Sequence, residues 1–133
     1  MGRIHEGTAA ATAAHPVVGL WSWDLAHMNP PGARSYAIFH ADGTYVEANP
    51  FLSTGVGLWQ ATGERTADLL IYYHDVGTDA GGNRLNVVIA KGPVEVNEAG
   101  QALTLLCTYE VTALNGAVVD SGAQTETATR ITL

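Results

Sequence analysis

The segment ALTLLCTYEVT, residues 102 to 112, decides the fold. Leu103, Leu105, Cys107, Tyr109 and Val111 fall on one side of an extended chain, and Thr104, Thr108, Glu110 and Thr112 fall on the other. Only Leu106 breaks this period of two. Strict alternation places one face in a core and one in water, as in an antiparallel sheet. Turn signals on either side repeat the message: NPPGA at 29–33, DG at 42–43, TGER at 62–65, GTDAGGN at 77–83, NEAG at 97–100 and LNGA at 114–117 cut the chain into short apolar runs. The runs are 17–25, 35–41, 44–48, 55–61, 66–75, 85–96, 102–112 and 118–132, and none has the i, i+3, i+4 spacing of a helix. The chain therefore reads as all-β with almost no helix, about eight strands joined by short connections in up-and-down order. Closing such a meander into a barrel removes both exposed edges; a two-sheet sandwich is the alternative.

Composition sets the outer limits. A chain of 133 residues, 47% hydrophobic and 14% charged, has apolar surface enough for one compact domain. A net charge of −7 with only six Lys and Arg argues against nucleic acid and anionic membrane surfaces as partners. The single cysteine, Cys107, excludes an internal disulfide and a thiolate zinc site, and the five histidines are too dispersed for metal-ligand spacing. No cofactor and no metal are expected. No apolar run reaches the roughly 20 residues of a membrane helix, so no membrane insertion is expected. Residues 1–15, MGRIHEGTAAATAAH, read as a flexible leader ahead of a barrel domain at 16–133. The protein is expected to be secreted if this leader follows a removed export signal, and cytoplasmic otherwise.

Gly19-Leu20-Trp21 on the first strand and Arg130 on the last resemble the G-x-W motif and terminal arginine of the lipocalin and wider calycin barrels. The passages HPVVGLWSWD, SYAIFHADGTYVE, GVGLWQATGERTADL and PVEV extend the resemblance to small bacterial lipocalin-like proteins over roughly 15–133. It implies a structural pair in which Trp21 closes one end of the barrel and Arg130 packs across its ring. Guanidinium on indole is worth on the order of 1 to 2 kcal/mol when desolvated. Gly55-Val56-Gly57-Leu58-Trp59 repeats the triplet, and its glycines mark either a bend or a pocket wall.

Side-chain faces then define a candidate site. A two-residue DG turn pairs Phe39 with Val46 and Ala37 with Ala48 on the inner face, and sends Ile38, His40, Tyr45 and Glu47 outward. The resemblance implies that Leu69, Ile71, Tyr73 and Asp75 point inward and Tyr72 and His74 outward. Even positions from Asn86 to Val96 face the lumen. Thr125, Thr127 and Thr129 form an outer face of the last strand, which turns Gln124, Glu126 and Arg130 inward; a register one residue different would instead leave both Gln124 and Glu126 solvated. In the proteins it resembles, the positions of Gln124 and Glu126 are more often small.

The convergent residues support three functions. The first is a binding module for a small hydrophobic molecule carrying polar groups, held by Trp23, Phe39, Val46, Trp59, Asn86, Leu105, Cys107 and Gln124. The second is a cofactor-free enzyme in which a buried Glu126 is general acid or base and Tyr73 or Tyr109 steadies an oxyanion, suited to epoxide opening, cyclisation, isomerisation or elimination. The third is an interaction domain with a filled core. An outer apolar surface at Leu70, Tyr72, Val87 and Ile89 suits a homodimer.

Overall fold

A computed structural model describes residues 15–75 and 85–133. Eight strands follow in order: β1 Gly19–Asp24, β2 Arg34–Phe39, β3 Thr44–Ala48, β4 Gly55–Ala61, β5 Thr66–His74, β6 Val87–Val96, β7 Ala102–Thr112 and β8 Val118–Ile131. Each pairs antiparallel with the next, and β8 pairs with β1 to close the barrel. No helix occurs among the described residues, so none is long and apolar enough to cross a membrane. Closure leaves no sheet edge unpaired. The GTDAGGN turn segment lies outside the described residues, as does the leader up to residue 14.

The alternation in β7 holds: Leu103, Leu105 and Cys107 are buried, while Leu106 and Thr108 are exposed. β5 buries Leu69, Ile71 and Tyr73, and β6 buries Val88, Ala90, Val94 and Val96. On β8, Gln124, Glu126, Ala128 and Arg130 occupy the less exposed face and the threonines the other. The β7–β8 pairing sets Leu105 opposite Glu126 and Cys107 opposite Gln124, so both polar residues share the inner face of β7.

The β2–β3 hairpin corrects the expected faces by one residue. Phe39 pairs with Tyr45, Ile38 with Val46 and Ala37 with Glu47. The connection is a three-residue loop: the Gly43 N–H donates to His40 O (3.1 Å), His40 N–H donates to Thr44 O (2.9 Å), and Gly43 has φ +91°. A type I turn followed by a left-handed glycine adds one residue over the two-residue turn and shifts the partner strand by one place. The period of two then turns every β3 side chain over. Tyr45 and Glu47 are buried, at 2% and 3% exposure, and Val46 faces out at 36%.

On the outside, Leu20, Ile38, Val46, Val56, Tyr72 and Ile89 sit opposite one another on successive strands from β1 to β6. They form one apolar row across the barrel wall.

Candidate functional site

One end of the barrel is packed shut. Trp21 is fully buried, its Nε1–H donates to Val17 O (2.8 Å), and Arg130, its cross-strand partner, lies over its ring with Cζ 4.3 Å from the centroid. The guanidinium also donates to Val18 O (2.9 Å), Gly100 O (2.7 Å) and Pro16 O. The first glycine of the G-x-W triplet fits nothing larger, because its φ is +136° and a Cβ would meet Arg130 Nη1 at 2.7 Å. His15, expected in the leader, belongs to this plug. It is buried, its Nε2–H faces Gly63 O (3.1 Å) and Thr66 O (3.0 Å), and its Nδ1 accepts from Val17 N–H (3.1 Å). Phe39 and Trp59 fill the same half, edge to face at 6.3 Å, with Trp59 Nε1–H on His40 O (2.8 Å). They are core residues and do not line the cavity. Val46, on the outer wall, does not line it either.

The other half is open. A cavity of about 410 Å³ is walled by Trp23, Leu25, Ile71, Val88, Ala90 and Leu105, and Cys107, Tyr109, Gln124 and Glu126 also line it. Asn86 stands outside the lining and donates to Asp75 Oδ2 (2.9 Å), whose carboxylate does face the cavity. The hydroxyl end of Tyr109 packs on Gly122, where a Cβ would meet its oxygen at 2.7 Å.

The polar centre is Glu47, which the two-residue turn had placed outside. Its Oε1 accepts from Tyr45 OH (2.5 Å) and Tyr73 OH (2.7 Å), and its Oε2 accepts from Asn49 Nδ2–H (2.9 Å). Trp23 Nε1–H donates to Tyr45 Oη (2.9 Å), which extends the chain of donors from β1 to β3. All the contacts to Glu47 are donors, the environment a buried carboxylate requires. Gly55, opposite Glu47 on β4, makes room for the arrangement, since a Cβ there would come within 2.5 Å of Tyr73 Cε1. Burial first, and the Glu47 carboxylate second, push the Tyr45 and Tyr73 phenols well above their usual value near 10. Both phenol protons are committed to Glu47. Tyr73 thus reaches a ligand's oxyanion only by giving up that bond.

Glu126 faces the same cavity with far fewer partners. Burial raises its carboxyl above the usual 4.5 and Glu47 adds to the rise, while His27, with Nε2 3.9 Å from Oε1, and the Cys107 and Gln124 side chains oppose it. His27 Nε2 also lies 3.2 Å from Gln124 Nε2. The Cys107 thiol is pushed up to about 12 by burial and by Glu126, which leaves it an un-ionised wall residue. Two carboxyl groups in one cavity thus have opposite surroundings: Glu47 is enclosed by donors, whereas Glu126 holds its proton to higher pH and has room to share it. No group of three or more His, Cys, Asp or Glu suited to a metal occurs among the described residues.

Sequence reasoning brought Trp23, Tyr73, Tyr109, Leu105, Cys107, Gln124 and Glu126 to the cavity, and missed Glu47, Asn49, His27 and Asp120 in its lining and Tyr45 behind Glu47. The turn composition did not give them away; in the structure Asp42 Oδ1 accepts from Thr44 N–H (3.0 Å) and Thr44 Oγ1–H (2.6 Å), local bonds that hold the longer loop. Comparison with protein-family models, curated proteins and solved structures finds no match to this chain.

Proposed function

We propose that the protein binds a small, largely apolar molecule carrying one or more hydrogen-bonding groups, inside the open half of a lipocalin-like barrel. The observation that carries this reading is the cavity itself: about 410 Å³ with mostly apolar walls and a few convergent polar groups, within the usual range for ligand pockets. Tyr45, Tyr73 and Trp23 lock one another's rotamers through Glu47, so the polar side is rigid before a ligand arrives. The open volume counts against an interaction domain with a filled core.

Native mass spectrometry with a panel of small apolar oxygenated compounds, epoxides included, tests the reading. A one-to-one adduct is expected, lost in Ala90→Phe or Val88→Phe, each of which puts a ring into the cavity. No adduct, or one that survives filling in a folded variant, overturns it.

A second reading, an acid–base enzyme, is favoured by Glu126, a carboxyl with a raised pKa beside open space. Glu126 would donate or accept the proton, with Tyr73 acting through Glu47. Chemical analysis of the released compound decides: alteration at a rate that falls in Glu126→Gln marks an enzyme, and return unchanged marks a carrier.

The outer row is the proposed contact between two copies, because it crosses six strands without a charge and an isologous pairing sets like on like. Sedimentation velocity is expected to show a dimer that Val56→Glu dissociates. A wild-type monomer overturns the pairing.

A further inference from the structure

We infer that the cavity takes its ligand as a cation, an apolar body bearing a protonated amine. This rests on the binding reading above and names its substrate class.

The charged groups of the described lining are Glu47, Asp75, Asp120 and Glu126, set against the single imidazole of His27, with no Lys or Arg among them. Among the described residues the basic side chains lie elsewhere. Arg130 is spent on the floor, Arg34 donates to Ser22 O (3.0 Å), and Lys91 is exposed on the outer wall. An anionic ligand would enter a space where the fixed charges are mostly of its own sign, and low-dielectric walls make that repulsion larger than in water. A cation meets the opposite situation.

The four carboxylates differ in what they leave free; Asp120 is exposed and accepts from Ser121 N–H (2.9 Å). Glu47 already accepts three hydrogen bonds and contributes field more than contact. Asp75 Oδ1 is buried and has no hydrogen-bond partner, although Oδ2 accepts from Asn86. Glu126 Oε1 lies 3.9 Å from His27 Nε2, beyond hydrogen-bonding range. Among the described residues Asp75 Oδ1 therefore has acceptor capacity with no donor, and Glu126 is met only by the Cys107 and Gln124 side chains. A buried acceptor without a donor is costly, and an ammonium N–H would recover that cost. Trp23, which lines the wall between β1 and β2, adds an indole face of the kind that attracts alkylammonium groups.

Isothermal titration calorimetry at neutral pH with 1-naphthylmethylamine, 1-naphthylmethanol and 1-naphthoate, which share one apolar body, tests the inference. The amine is expected to bind about tenfold or more tighter than the alcohol, with the carboxylate weakest. Glu126→Gln or Asp75→Asn, whichever carboxylate receives the ammonium, is expected to narrow the amine-to-alcohol ratio at least about threefold. An alcohol that binds as tightly as the amine, or a carboxylate that binds tightest, overturns the cation assignment and leaves the binding reading standing. A ratio unchanged in both variants also overturns it. Absence of binding by all three probes at millimolar concentration overturns the assignment and the binding reading together.

Discussion

Glu47 shows how a single buried charge orders its neighbours. At 3% exposure it keeps three donors within 2.9 Å, and the phenols that supply two of them are locked in their protonated form. For an acid whose folded pKa is raised, the native state keeps a proton that the unfolded chain releases. Stability therefore falls as pH climbs above 10, through the window between the ordinary and the raised phenol value. Absorbance at 295 nm is expected to show two of the five tyrosines ionising only as the barrel unfolds. Ionisation of all five near pH 10 with the fold intact contradicts this. Glu126 follows the same sign at lower pH. Its carboxyl is raised by burial, so it contributes a loss of stability as pH rises above 4.5 through its folded value. Glu126→Gln removes that loss, and its melting temperature is expected to exceed that of wild type at pH 7, with the gap closing below pH 4.5. An equal or lower melting temperature at pH 7 would show that Glu126 is not desolvated.

At the scale of elements, the β2–β3 hairpin does the most with the fewest residues. Its loop length turns Tyr45 and Glu47 into the lumen, and the extra residue is accommodated by Gly43 at φ +91°. Gly43→Ala is expected to cost about 1–2 kcal/mol, the penalty of a left-handed L-residue, read as a lower urea midpoint. A neutral substitution would mean that the loop relaxes to another turn, and the β3 register would have to be revisited by mapping which of Tyr45 and Val46 is protected. The hairpin also explains why this part of the site was hidden in the sequence. ADG fits a two-residue and a three-residue loop equally well by composition, and a difference of one residue reverses both faces of TYVEA. β7 had no such ambiguity, since only one of its faces is apolar enough to bury.

Across the whole molecule, closure is concentrated at the Trp21 end. Arg130 ties β8 to the segment before β1 and, through Gly100 O, to the β6–β7 turn, while stacking on Trp21. Trp21→Ala leaves a cavity in a fully buried site and is expected to cost about 3–5 kcal/mol. Arg130→Ala leaves three carbonyls without their donor and is expected to cost a few kcal/mol, on the order of 1–3 for each acceptor left buried. Equilibrium urea unfolding measures both, and near-neutral values would show that the barrel closes without this pair. Among the described residues nothing plugs the opposite end, and the division of the interior into a packed half and an open half is what makes a ligand site available. The sequence alone determined the all-β class, the strand count, the meander order and the inner faces of β6 and β7, because alternation and turn chemistry are local and each of these strands carries its own, whereas the β5 faces came from the resemblance and the β8 register was left open until the structure. Only the tertiary structure decided that Glu47 is the buried charge, that Phe39 and Trp59 belong to the plug, and that His15 seals it. Those outcomes depend on register across strands and on which large side chains reach the same volume, and neither quantity is written in any one segment of the chain.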